Sequence, residues 1–237
     1  MTLEISKGNK TALLLGASGL VGGYCLDYLL EHPSYTQVVL LNRRKLKREH
    51  DKLVQHEIDF DQLNKSEHLL VGDDLFLCLG TTMAKAGSKD TFYKVDYTYS
   101  MQAARISVEN GVNQILLVSS VGADKDAFFF YSKVKGELEE DIKKLPFWAI
   151  HIFQPSILLG ERNENRWGES IAARLGRGFD YLTGGLLTKY RPVEAEVVAK
   201  AMVSAAQRLE SGITIYPSHH LQRLAEDETF NKRLKEK

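Results

Sequence analysis

Short runs of uninterrupted apolar residues alternate along the chain with longer stretches whose apolar positions recur every three or four residues. Thr11–Leu15, Val38–Leu41, Leu75–Leu79, Ile115–Val118 and Trp148–Phe153 predict strands, with a weaker one over Val54–Ile58. Leu20–Leu30, Phe92–Asn110 and Tyr131–Lys144 carry helical spacing. Gly111 supplies a stop for the second of these helices, and Pro146 lies just beyond the third. Strands that are apolar on both faces, each followed by a helix, predict an α/β fold: a doubly wound parallel sheet covered on both sides. The regularity fails after Gln154-Pro155. Residues 155–192 read as an irregular segment, a small C-terminal extension on the substrate side of the sheet. Val193–Leu209 then predicts a helix, Ile213–Tyr216 a strand, and the charged tail from His219 a last helix. With no internal repeat or low-complexity linker, residues 1–237 read as a single domain.

Composition narrows the class. At 43% hydrophobic and 26% charged residues the chain is neither disordered nor fibrous. Lys+Arg and Asp+Glu both number 31, and this balance argues against a nucleic-acid partner. The two cysteines, Cys25 and Cys78, match no zinc or redox spacing and sit in apolar stretches, so buried reduced thiols are expected. The N-terminal MTLEISKGNK has no apolar core of a signal peptide, and no apolar run is long enough for membrane insertion. These features lead to the expectation of a cytoplasmic protein, a monomer or homodimer acting on a small molecule.

In an open parallel sheet, ligands sit outside the carboxyl ends of the strands. The first strand end carries Gly16-Ala-Ser18-Gly19-Leu20-Val21-Gly22, a glycine turn opening a helix. Its backbone N–H groups suit a pyrophosphate. The second strand ends in Asn42 and then Arg43-Arg44-Lys45, with no acid to meet a free ribose hydroxyl; Arg43, with Arg44 second, is the expected clamp for a 2′-phosphate. Asp59-Phe60, at the third strand end, would lie beside an adenine, although Asp59 could equally cap a helix. The fourth strand runs into Leu79-Gly80-Thr81-Thr82, a further border for the cofactor.

Tyr131-Ser-Lys-Val-Lys135 places a phenol and an ammonium one helical turn apart. An unperturbed phenol, with a pKa of about 10, is a poor acid–base at neutral pH, and a nearby cation favours its charged form. Ser119-Ser120, at the fifth strand end, offers hydroxyls to hold a carbonyl oxygen.

GASGLVGG, NRR, SS and YSKVK, in that order, resemble the short-chain dehydrogenase/reductase superfamily in its extended or atypical form. LCLGTT, KAG, VSSVGAD, KVKGE and QPSILLGER resemble a narrower branch, the Tat-interacting, metastasis-suppressor-like oxidoreductases. The resemblance covers nearly the whole chain. It implies a Rossmann-type domain binding NADP(H), a catalytic set of Ser120 (or Ser119), Tyr131 and Lys135, and Pro155 at the cofactor rim. Two departures stand out. Classical members carry Asn-Asn-Ala-Gly after the fourth strand, where this chain has Cys78-Leu-Gly80-Thr81-Thr82. Extended members often carry asparagine where this chain has Asp96.

Arg162, Arg166, Trp167 and Tyr181 fall in the irregular segment and are candidate substrate contacts. Phe128-Phe129-Phe130 could wall a substrate cavity or pack under the sheet edge, and His219-His220 read as a surface pair. The residues therefore favour an NADP(H)-dependent oxidoreductase acting on a carbonyl or alcohol. An NADP(H)-binding redox sensor signalling to a protein partner is the alternative, and a nucleotide-sugar epimerase is a third reading disfavoured by the short C-terminal part.

Overall fold

The computed structural model describes residues 8–160, 191–208 and 210–226. Strands β1 (Lys10–Leu15), β2 (Tyr35–Asn42), β3 (Leu53–Glu57), β4 (Asp74–Leu77), β5 (Gln114–Val118) and β6 (Ala149–Gln154) join a later strand, β9 (Gly212–Pro217), in one sheet. The order is β3-β2-β1-β4-β5-β6-β9, and every pairing is parallel. A separate parallel pair joins β7 (Leu158–Leu159) to β8 (Val193–Glu194). The helices are α1 (Leu20–Glu31), α2 (Met83–Ala86), α3 (Lys89–Tyr93), α4 (Tyr99–Glu109), α5 (Phe130–Ile142), α6 (Ala195–Ala205) and α7 (Ser218–Ala225).

Continuous apolar strands arise because successive side chains point into two different layers, both covered. Ala12, Leu14, Leu40, Phe76, Leu116 and Phe153 pack with α1, α6 and α7. Leu13, Leu15, Leu41, Leu77, Ile115 and Ile152 pack on the other face, with Leu63, Met101, Ala104, Leu138 and Ile142. This is the doubly wound arrangement expected from the pattern. Leu15 pairs with Leu41 on one side and Leu77 on the other, so the three strand ends lie level where the sheet order reverses.

Several boundaries differ from the expected ones. β2 begins at Tyr35, whose fully buried ring is held by a 2.5 Å bond from its hydroxyl to Asp74. Lys10, 2.6 Å away, and Gln114, 2.7 Å away, share that buried carboxylate and tie together the amino ends of β1, β4 and β5. The helix predicted from Phe92 starts earlier, as α3, and passes through a π turn at Lys94–Thr98 before α4. Gly111 follows its end with φ +84°, as the stop requires. The 3-10 turns of Phe60–Leu69, interrupted by non-helical backbone at Gln62 and Ser66, have no counterpart in the expected elements. Val193–Glu194 is a strand rather than the start of a helix, because its backbone pairs with β7.

His151 on β6 is fully buried, with Nδ1 3.2 Å from the Tyr216 hydroxyl and Nε2 without a hydrogen-bond partner among the described residues. Burial, and then the charges of Arg208 and Lys10, lower its pKa from 6.5 to about 4. The folded protein holds the ring neutral, whereas the unfolded chain protonates it below about pH 6.5. Stability is therefore fully present above that pH and falls as pH drops toward 4, by roughly 3 kcal/mol from this group. Urea denaturation of wild type and His151→Gln across pH 4–7 checks this: the variant should lose markedly less stability over that interval. An unchanged acid slope would sink the assignment.

Candidate functional site

The turn after β1 depends on close backbone approach. Gly16 has φ +91°, and a Cβ on it would stand 2.4 Å from the Cys78 carbonyl oxygen. A Cβ on Gly22 would stand 2.2 Å from the Gly16 carbonyl oxygen, so α1 leaves the turn in direct contact with it. Gly19 occupies the N-cap without a side-chain cap, and the first N–H bonding back to it, at 2.9 Å, is that of Gly23. The N–H groups of Leu20, Val21 and Gly22 therefore lack intrahelical acceptors, at the positive end of α1. Leu20 and Val21 pack their side chains into the core and offer only backbone, while Ser18 is exposed in the turn.

Beyond the ends of β2 and β3 lies a cleft of about 540 Å³, lined by Arg43, Glu57, Ile58, Asp59, Phe60, Asp61 and Tyr99. Arg43 is exposed and faces this cleft; Arg44 is exposed outside its lining. The expectation of no acid holds for β2 alone, because the register pairs Asn42 with Glu57 and brings Glu57 to the same cleft. Asp59 caps the 3-10 stretch, accepting from the Asp61 N–H and from Gln62, both at 2.9 Å. Phe60 is buried against Tyr99, with ring centroids 5.3 Å apart. Lys94, at 2.6 Å, holds the Asp61 carboxyl below its usual range, with help from the Tyr99 hydroxyl.

Lys135 on α5 is buried, its ammonium 2.8 Å from Asp96 in the π turn. The other Asp96 oxygen accepts the Thr81 N–H at 2.8 Å. The pair lies directly under the loop after β4, since a Cβ on Gly80 would sit 3.4 Å from Asp96 and 3.7 Å from the Lys135 nitrogen. Leu79 and Thr81 are half-buried in that loop, and Thr82 caps α2. The ammonium expected one turn from the phenol is thus one half of an ion pair. Tyr131 is 39% exposed, one turn before Lys135, with its ring 5.7 Å from buried Phe92. Among the described residues its hydroxyl has no hydrogen-bond partner.

The two serines part company. Ser119 is buried and donates to Glu139, which also accepts from Gln154 at 3.0 and 3.1 Å. Burial pushes the Glu139 carboxyl up, against the pull of those two partners. Ser120 is half-buried, its hydroxyl in a 3.3 Å contact with the Val121 carbonyl. The loop beyond it is clamped: Val121 N–H donates to the Pro155 carbonyl at 2.9 Å, and Asp124 N–H to the Ser132 carbonyl at 3.1 Å. Gly136 admits the loop, since a Cβ there would lie 2.2 Å from the backbone at Asp124 and Lys125. Ser120 and Tyr131 are thereby held at the same end of the sheet. Of the phenylalanine run, Phe130 packs on Phe92, whereas Phe128 and Phe129 are 95% and 74% exposed. Arg162, Arg166, Trp167 and Tyr181 lie outside the described residues.

A family model described as the NAD dependent epimerase/dehydratase family matches residues 12–147. The chain is 38% identical over 170 residues to Protein HTATIP2 of Rattus norvegicus, covering 70% of each. It is 35% identical over 208 residues to Protein FMP52, mitochondrial, of Candida albicans, covering 84% of this chain and 88% of the relative. Among solved structures, Helicobacter pylori ADP-L-glycero-D-manno-heptose-6-epimerase superposes with a TM-score of 0.68, 15% identity, and 99% and 85% coverage of the two chains. The Bordetella bronchiseptica enzyme WbmH in complex with NAD+ gives 0.65 at 15% identity, covering 88% and 75%. These likenesses fix the fold as the Rossmann type. The cytoplasmic expectation is corrected: the FMP52 proteins of Candida albicans and Saccharomyces cerevisiae are both named mitochondrial, and a balanced charge with short apolar runs does not discriminate between aqueous compartments. The glycine turn, the parallel sheet and the sequence relatives agree that the chain belongs to the NAD dependent epimerase/dehydratase family, among the atypical short-chain dehydrogenases/reductases.

Proposed function

We propose that the protein is an NADP(H)-dependent oxidoreductase moving hydride between the nicotinamide and a small carbonyl or alcohol substrate. The observation that carries this reading is the buried, ion-paired Lys135 one helical turn from the accessible phenol of Tyr131. The dinucleotide fits the turn: Gly16, Ser18 and Gly19, with the free N–H groups of Leu20, Val21 and Gly22, would hold its pyrophosphate. Arg43, and Arg44 behind it, would meet a 2′-phosphate, with Asp59 and Phe60 on the adenine side of the cleft. The Leu79–Thr82 loop, Pro155 and Lys135 would border the ribose and nicotinamide. Bound there, the cofactor supplies or accepts hydride. Ser120 donates a hydrogen bond to the substrate oxygen, and Tyr131 delivers the proton that this oxygen takes up in reduction. Asp96 fixes Lys135 in place through one oxygen and the Thr81 backbone through the other.

Three measurements test the reading. Calorimetric titration should show NADPH binding about tenfold to a hundredfold tighter than NADH, the 1.5–3 kcal/mol of a charge-assisted bond. Arg43→Ala should abolish most of that preference. Glu57→Gln should enlarge it, because Glu57 faces the same cleft. Equal affinities in wild type would remove the phosphate clamp.

NADPH consumption with a panel of aldehydes, ketones and quinones tests the chemistry. Tyr131→Phe should keep NADPH affinity within a few fold and lose about 10²–10⁴ in turnover. Wild-type binding without turnover of any substrate would favour the sensor reading. Full activity in Tyr131→Phe would refute the proton-donor role.

Asp96→Ala leaves a buried ammonium uncompensated and should cost roughly 3–5 kcal/mol of unfolding free energy. Asp96→Ala/Lys135→Met should recover much of it. If Asp96→Ala is as stable as wild type by chemical denaturation, the pair does not hold the site together.

A further inference from the structure

We propose that the outer edge of β9 is a homodimer interface, on which a second copy of the chain extends the sheet across a two-fold axis at Thr214. β9 closes one side of the seven-stranded sheet, and among the described residues nothing pairs with its outer edge. Natural edge strands are usually blunted by charged residues, a bulge or a covering segment. β9 reads Gly-Ile-Thr-Ile-Tyr-Pro and carries no charge, and its register with β6 runs from Gly212 to Pro217 without a shift.

The two faces of this strand differ. Tyr216 points into the layer of α6 and α7, stacked on Phe153 with ring centroids 4.9 Å apart. Ile213 and Ile215 pair with Ile150 and Ile152 and point the other way, into the layer that α5 covers. Ile150 and Ile152 are buried there, whereas Ile213 and Ile215 are 51% and 41% exposed. Trp148, just before β6, is 47% exposed. The apolar face of the sheet therefore runs past α5 and stays open at its edge.

The backbone makes this edge self-complementary. The Gly212 N–H donates to the Trp148 carbonyl at 2.9 Å, so Gly212, Thr214 and Tyr216 turn their polar backbone groups toward β6. Those of Ile213 and Ile215 point outward. A second β9 running antiparallel, with the two Thr214 residues opposed on the axis, sets Ile213 against the partner's Ile215, and each such pair exchanges both of its N–H···O bonds. Moving the axis to Ile215 would oppose Ile213 with Pro217, which has no N–H, so the chain itself selects Thr214. The same operation gathers the isoleucines of both copies side by side on the open face. It also brings the exposed Glu210 end of each strand to the end of the other that leads into the exposed His219 and His220, whereas a parallel pairing would set Glu210 against Glu210. Register, apolar face and charge thus all favour a second copy as the occupant.

The test is the association state of the full chain by sedimentation velocity, over a concentration series reaching about 0.2 mM. Wild type should pass from monomer to dimer along the series. Ile215→Lys puts an ammonium from each copy into the isoleucine cluster and should raise the dimer dissociation constant about tenfold or more, with the circular dichroism of the fold unchanged. Thr214→Cys sets two thiols opposite each other on the axis, at a Cα separation of about 4.5 Å that a disulfide spans. Mild oxidation should convert this variant to a dimer that a thiol reductant separates, under conditions that leave wild type uncross-linked. If Ile215→Lys does not fold, Thr214→Cys decides alone. A wild-type chain that stays monomeric across the series would overturn the proposal. So would a dimer that folded Ile215→Lys leaves intact, or one that Thr214→Cys fails to cross-link.

Discussion

The contact on which the rest of the structure depends is that between Gly16 and Cys78, at the point where the sheet order reverses. β1 and β4 are hydrogen-bonded neighbours with level ends, so the connections leaving them compete for the same space. The competition is resolved by removing a side chain. With no Cβ and φ at +91°, Gly16 lets the chain turn sharply against the Cys78 carbonyl. α1 then starts close enough to touch the same turn through Gly22, and its free N–H groups point toward the crevice. A larger residue at either glycine would lift α1 off the sheet and misdirect those donors. Fold and the row of free N–H groups at the start of α1 are therefore one steric arrangement.

A second constraint is electrostatic. Taking Lys135 and Asp96 out of water is costly, and their attraction offsets this only with good geometry and further hydrogen bonds. Asp96 meets the condition by taking the Thr81 N–H on its second oxygen. The pair thus couples α5, the π turn and the loop after β4, three segments with no strand pairing between them. The π turn carries one extra residue relative to a regular helix at the position of Asp96. Such an insertion re-aims a side chain, and the carboxylate that it aims is the one that anchors Lys135.

Much of this was legible in sequence because apolar runs and glycine turns are local signals. The parallel sheet followed from strands such as Thr11–Leu15 being apolar on both faces, and the turn of Gly16–Gly22 into a helix from its glycine spacing. What escaped the sequence is non-local. Asp96 could be noted as a departure from asparagine, but nothing in the chain says that it reaches a lysine 39 positions on. Glu57 reads as the polar end of a weak strand until the register sets it beside Asn42 and Arg43. Asp59 was ambiguous for a different reason: a carboxylate before a short helical turn serves as a cap or a ligand with the same residue type. Its bonds to Asp61 and Gln62 show the cap.

The choice between the adjacent serines shows how a buried group settles what sequence leaves open. In an extended chain neighbouring side chains point to opposite sides, so Ser119 and Ser120 cannot both face a ligand beyond β5. Either could serve until the partners are known. Glu139 lies two helical turns beyond Tyr131 on the same face of α5, buried against the ends of β5 and β6. A carboxylate there requires donors, and Ser119 and Gln154 provide them. Claiming Ser119 for the interior leaves Ser120 as the hydroxyl of the pair with no side-chain commitment among the described residues. Satisfying one buried acid thus leaves the Ser120 hydroxyl, rather than that of Ser119, accessible at the end of the sheet where α5 carries Tyr131 and Lys135.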